Sequence, residues 1–197
     1  YNDGNGINAG HVRIYKNISG TWTQVGSDID GEAAVDNSGY SVSLSSDGST
    51  VAIGAYGASD GNGAGLGHVR IYKNISGTWT QVGSDIDGEA ERDQSGFSVS
   101  LSSDGSTVAI GAYANDGNGN YAGHVRIYQD SSGTWTQQGS DIDGEAQMDK
   151  SESSVSLSSD RSTVAIGAAC NGGNGTGAGH VRTLSYTHIT LPPNTPE

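Results

Sequence analysis

One acidic string occurs three times and offers more chemistry than anything else in the chain. It reads Asp28-Ile-Asp30-Gly-Glu32 with Asp36 following, then Asp85, Asp87, Glu89 and Asp93, then Asp141, Asp143, Glu145 and Asp149. Acids at alternate positions, followed by one more, can wrap a hard cation in oxygen ligands, and Ca²⁺ takes roughly six to eight of them. The spacing partly mimics an EF-hand loop, although the glycine comes early and no terminal bidentate glutamate follows. The competing reading is a solvated turn, because aspartate and glycine are ordinary turn formers whose side chains bond their own backbone.

Other repeated residues divide in the same way. The strings around His11 and Arg13, His68 and Arg70, His124 and Arg126, and His180 and Arg182 place both polar side chains on one strand face. Such pairs could take an anion; pairing with acids of a neighbouring unit is the expected role. Trp22, Trp79 and Trp135 could stack on sugars, and packing between units is expected instead. Polar loops at Asn2–Gly6, Asp60-Gly-Asn62, Asp116-Gly-Asn118 and Asn171-Gly-Gly-Asn174 suit turns with positive φ. Asn17, Asn74 and Asn174 begin Asn-x-Ser/Thr triplets, which matter only in a eukaryotic secretory route. No nucleophile, base and orienting group stand at a spacing that identifies a catalytic set, so the chain is read as non-enzymatic and no catalytic residue is assigned.

Composition bounds the partners. The 197 residues carry a net charge of −13, which repels nucleic acid. No apolar run approaches the roughly 20 residues that span a bilayer, so no membrane insertion is expected. A single cysteine, Cys170, cannot form an intrachain disulfide. No signal-like segment is visible from Tyr1 onward, so export cannot be read from the sequence. Hydrophobic residues make up only 32%, which is lean for a core, so their arrangement has to do the work.

That arrangement is a tandem repeat. Gly-His-Val-Arg recurs with its histidine at 11, 68, 124 and 180, intervals of 57, 56 and 56 residues. Residues Gly10–Ala33 match Gly67–Ala90 at every position, as Ser41–Tyr56 match Ser98–Tyr113. Each unit holds four strand-like runs, beginning with Tyr40–Ser45, where Val42 and Leu44 alternate with serines. An Asp47-Gly48 hairpin leads to Thr50–Ala55, a Gly-rich loop to His68–Tyr72, and a turn around Asn74–Gly77 to Thr78–Val82. No stretch has helical periodicity. Small residues fill the first two runs, while Tyr15, Tyr72 and Tyr128 join the tryptophans in the last two, the gradient a wedge converging on an axis needs. The predicted fold is all-β: a β-propeller-like array of four-stranded antiparallel blades, about three and a half repeats of about 56 residues. A solenoid, whose repeats are usually shorter, is the other architecture of this kind.

At these residues the sequence resembles the FG-GAP repeats of integrin-α-type propellers. Gly39-Tyr40 and Gly96-Phe97 stand where that family has its Phe-Gly or Gly-Phe start, Val51–Ala55 and Val108–Ala112 resemble its Val-Val-Gly-Ala-Pro run, and Gly67–Tyr72 resembles its third strand. The resemblance covers about residues 1–186. It implies an extracellular or cell-surface module for adhesion or for binding a protein or glycan ligand, often with Ca²⁺ in its loops. The family's calcium loop between the first and second strands is absent. That hairpin offers only Asp47, Asp104 and Asp160 singly, too few oxygens for Ca²⁺.

The expected organisation is one repeat domain over 1–186: a partial blade 1–38, blades 39–95 and 96–152, and a partial blade 153–186. A non-repeat tail, 187–197, carries Pro192, Pro193 and Pro196 and does not suit a central strand. Propellers have roughly four to eight blades, so the array is read as part of a longer ring or as one closed by self-association. A binding module is the favoured function. A polysaccharide-processing propeller and a purely structural repeat are the alternatives.

Overall fold

Each Val-x-Leu and Val-Ala-Ile-Gly-Ala run becomes a strand, and each turn signal between them a hairpin. The computed structural model describes residues 5–59, 65–172, 175 and 178–185. The 187–197 tail lies outside them, as do Asn2–Gly4, Asp60–Asn62 and Asn174. Seventeen strands form antiparallel sheets, with no helix among the described residues. The first stretch gives β1 (His11–Val12), β2 (Tyr15–Ile18), β3 (Thr21–Gln24) and β4 (Ile29–Asp30), with β1 on β4 and β2 on β3. The next blade is β5 (Ser41–Leu44), β6 (Thr50–Ala55), β7 (His68–Ile75), β8 (Thr78–Gln81) and β9 (Ile86–Asp87). Its counterpart is β10 (Ser95–Leu101), β11 (Thr107–Ala112), β12 (His124–Ser131), β13 (Thr134–Gln137) and β14 (Ile142–Asp143). The last sheet is β15 (Ser151–Leu157), β16 (Thr163–Ala168) and β17 (His180–Ser185).

In both complete blades the strands follow chain order, as a meander of short connections requires. The fourth strand is broken, which the sequence did not reveal. β8 pairs with the far half of β7, the chain kinks at Gly83 (φ +76°), and β9 returns to the same edge with His68 opposite Asp87 and Val69 opposite Ile86. Ile86 and Asp87 of the acidic string therefore belong to the sheet edge.

Turn chemistry follows the residues. Ser76 and Gly77 both have positive φ (+53° and +92°), the mirror-image turn that suits strand twist, and the Gly77 amide donates to Asn74 Oδ1 at 2.8 Å. At the first hairpin, Asp47 Oδ1 accepts from Ser45 Oγ at 2.7 Å and from the Ser49 amide at 2.9 Å. The Ser45 bond, then those from Ser49, hold the Asp47 carboxyl at about 2. A depressed carboxylate pKa means the turn's contribution is complete above the ordinary value of 3.8 and is lost as pH falls toward 2. Carboxyl ¹³C titration should place the Asp47 midpoint well below 3; a midpoint near 3.8 would show that these bonds do not form in solution.

Blades stack through two unlike faces. The leading face of one blade sets Val51 and Ile53, with Tyr72 and Trp79, against Val12, Ile14 and Ile29. Its trailing face sets Ala52, Val69, Ile71 and Ile86 against Val99, Leu101, Val108 and Ile110 of the next. The third interface repeats the scheme, with Ala109, Val125 and Ile127 against Val164 and Ile166. Tryptophan lies between blades, as its size predicts: Trp79 Nε1 donates to the Val25 carbonyl at 2.8 Å and Trp135 Nε1 to that of Val82 at 2.9 Å. Serine lets the first strands approach. Ser43 Oγ accepts from the Leu101 amide, and Ser100 Oγ from that of Leu157, each at 2.9 Å. Tyr40 and Phe97, the family-like aromatics, meet each other with ring centroids 5.0 Å apart.

Candidate functional site

The acidic strings run along the seams between blades, and the buried arginines of the third strands determine where they go. Arg70 Nη1 lies 3.2 Å from Glu32 Oε1, and its Nη2 donates to the Asp30 carbonyl at 2.9 Å. Arg126 repeats this with Glu89 at 3.2 Å and the Asp87 carbonyl at 2.8 Å. Arg182 reaches Glu145 at 3.4 Å and the Asp143 carbonyl at 2.9 Å. Each arginine therefore clasps the preceding unit, the pairing expected from the sequence. In Arg70 and Arg126 the guanidinium also lies over the same strand's tyrosine, its carbon 5.6 Å from the ring centroid of Tyr72 and of Tyr128.

The four acids of a string take different positions. Asp36, Asp93 and Asp149 are buried and accept from the amides of Ala33, Ala90 and Ala146 at 2.7–3.0 Å. Asp93 and Asp149 also accept from Asn115 and Asn171, at 3.1 and 2.9 Å, and so latch the next blade's loop. Asp28, Asp85 and Asp141 accept from Gln24, Gln81 and Gln137 at 2.6–2.7 Å. Asp30, Asp87 and Asp143 are exposed. Glu32, Glu89 and Glu145 cross the seam to the arginines.

Histidine completes the arrangement. His68 Nδ1 lies 3.8 Å from Asp85 Oδ2, and His124 Nδ1 lies 3.7 Å from Asp141 Oδ2. Ligand atoms of Glu32, His68 and Asp85 fall within 4.8 Å of one another, as do those of Glu89, His124 and Asp141. Among the described residues these are the groups able to hold a metal ion, and each is drawn from both sides of a seam rather than from one string. Glu and Asp were candidates from the sequence. The histidine was not, and the pairing of His68 with Asp87 in register is what brings it there. Burial, then the Arg126 charge, lowers the His124 pKa against the opposing pull of Asp141 and Glu89, which favours the neutral imidazole.

Beside each clasp lies an open cleft. One of about 340 Å³ runs between Asp28, Ile29 and Asp30 on one side and Tyr72 and Trp79 on the other. The next, also about 340 Å³, has Asp85 and Asp87 facing Tyr128 and Trp135. A third, of about 350 Å³, sets Asp141 and Asp143 against Arg182 and Leu184, without the aromatic pair.

Residues 79–128, which run from one fourth strand to the next third strand across a seam, match the FG-GAP repeat family model. No curated protein matches the chain. Among solved structures, a provisionally assigned 6-phosphogluconolactonase from Bacteroides uniformis superposes with a TM-score of 0.56 at 12% identity, over 90% of this chain and 49% of that one. The periplasmic gluconolactonase PpgL of Pseudomonas aeruginosa gives 0.45 at 15% identity, over 78% and 42%. The chain thus spans about half the length of the structures it resembles, and at such identities the likeness is one of fold.

Proposed function

For a chain that carries an FG-GAP repeat, we propose a non-catalytic binding module of a secreted or cell-surface protein whose seams take a glycan. The observation that carries this reading is the recurrence, at two successive seams, of one cleft lined by two aspartates, a tyrosine and a tryptophan. Aromatic rings offer flat apolar surface to sugar C–H groups, and carboxylates accept from hydroxyls. Two such clefts on one rigid array would bind a repeating polymer more tightly than either alone. Ca²⁺ fits as an auxiliary ion: exposed Asp30 and Asp87 supply some of its oxygens, and ligand hydroxyls complete the shell. Among the described residues no helix is long and apolar enough to cross a membrane.

A glycan array run with Ca²⁺ and with chelator tests the reading. Retention of acidic or neutral polysaccharide that falls about tenfold in Asp87→Asn supports it, a loss of the size expected for one charged hydrogen bond. No retained glycan in either buffer removes it. Release of new reducing ends from the polymer would instead favour the polysaccharide-processing alternative.

A further inference from the structure

The geometry points to a first-row transition-metal site of the Zn²⁺ class at each seam, formed by Glu32, His68 and Asp85 and again by Glu89, His124 and Asp141. It does not rest on the glycan reading, although Asp85 also lines the second cleft, and it differs from the oxygen-only Ca²⁺ role in that its defining ligand is an imidazole nitrogen. In each group the three ligand atoms lie within 4.8 Å of one another. The Nδ1 to carboxylate distances, 3.8 and 3.7 Å, are too long for hydrogen bonds. They are close to what two ligands of one ion show, for bonds of about 2.0–2.2 Å at a tetrahedral angle separate the ligands by roughly 3.3–3.6 Å.

Burial supplies a second, independent indication. His68 and His124 are only 6% and 1% exposed, and the Nε2 of each has no hydrogen-bond partner. Each ring is thus buried with Nδ1 turned toward a carboxylate that it does not reach. An ion between Nδ1 and the carboxylates converts that gap into bonds and leaves the ring proton on Nε2, the atom without a partner. The carboxylates are held from behind: Gln81 and Gln137 donate to the other oxygens of Asp85 and Asp141 at 2.6 Å, while Arg70 and Arg126 fix Glu32 and Glu89. Such outer contacts set the orientation of metal ligands. Two carboxylates against one guanidinium leave each group net negative. One nitrogen and two oxygens suit Zn²⁺, Co²⁺ or Mn²⁺ better than Ca²⁺, which prefers more oxygens. The ion would join a glutamate of one blade to a histidine and an aspartate of the next, so it closes the seam.

Co²⁺ titration of the metal-stripped protein, without glycan, reads the site directly. Ordered nitrogen–oxygen ligation should give a visible d–d spectrum that saturates at two equivalents, is displaced by Zn²⁺ and persists in excess Ca²⁺. Glu89→Gln, at a half-exposed position, should lower the stoichiometry to one, and His68→Gln with His124→Gln should abolish the spectrum. Absence of a saturable spectrum in the wild type overturns the proposal. So does an unchanged stoichiometry in Glu89→Gln, a result that stands even if the double histidine variant fails to fold.

Discussion

Gly67→Ala is expected to cost about 4 kcal/mol or more, a large fraction of the stability of a typical domain. Gly67 sits at φ +73°, and a Cβ there would overlap the Ser95 carbonyl oxygen and lie 2.6 Å from the Ser95 nitrogen. Both are backbone atoms and cannot swing aside. The residue joins three segments: its amide donates to the Ala58 carbonyl at 3.1 Å, its carbonyl accepts from Gly88 at 2.8 Å, and Ser95 bonds Leu66 beside it at 2.9 Å. Moving it would disturb the entry to the third strand, the end of the fourth and the start of the next blade together. Gly77→Ala is the control. It has a similar φ, +92°, but nothing within 4 Å of the added carbon, so only the left-handed conformation is penalised, at about 1–2 kcal/mol. Urea denaturation of both variants decides the matter: equal losses would mean that the close approach at Ser95 is not what requires glycine.

The second large effect is expected at Arg126. Arg126→Met removes a charge that is 5% exposed, and with it the clasp on Glu89 and the Asp87 carbonyl. Loss of one partner of a buried, hydrogen-bonded charge is severe when the other stays buried. Here Glu89 is half exposed and can return to water, so the loss should be moderate, about 2–3 kcal/mol. Arg126→Lys should recover little, because a point charge cannot serve a carboxylate and a carbonyl with one planar fork. Glu89→Gln should cost less than about 1 kcal/mol for the same solvation reason. A double-mutant cycle over Arg126 and Glu89 measures their coupling. Wild-type stability in Arg126→Met would show that blade packing alone holds the seam.

Much of this fold can be read from the sequence because its signals are local. Val42 and Leu44 alternate with serine, Asp47-Gly48 marks a hairpin, and Trp79 and Trp135 are too large for an inner strand. Each of these is decided within a few residues, and the faithful repeat states it more than once. The break in the fourth strand was not legible, since Ile86-Asp87 is too short to show a period. The seam was legible only in outline. Alternation indicated that His68 and Arg70 share a face, and charge indicated that they would meet acids. Asp36 turns inward to the Ala33 amide through a local turn, Glu32 crosses to Arg70 through the stacking of blades, and Asp85 faces His68 through the register between β7 and β9. Three acids that look equivalent in the sequence therefore have three different neighbours.

The stacking faces carry a final consequence. Val51 and Ile53, Val108 and Ile110, and Val164 and Ile166 are the same side chains on the same surface, and Ala52, Val69 and Ile71 recur as Ala109, Val125 and Ile127. At these core positions any leading face therefore fits any trailing face; the differences lie at the margins, where Leu184 replaces Tyr72 and Tyr128, and where Asn115 and Asn171 stand in place of Ala58. In the core, connectivity makes the distinction. Docking to the next-but-one unit doubles the intervening segment and costs only about 0.6 kcal/mol more in closure entropy, roughly a threefold preference for the correct order. A chain folding from its N-terminus as it is made meets its partners in sequence. A chain refolding from denaturant at high concentration has interchangeable partners in every other molecule, and exchange of blades between copies is its characteristic error.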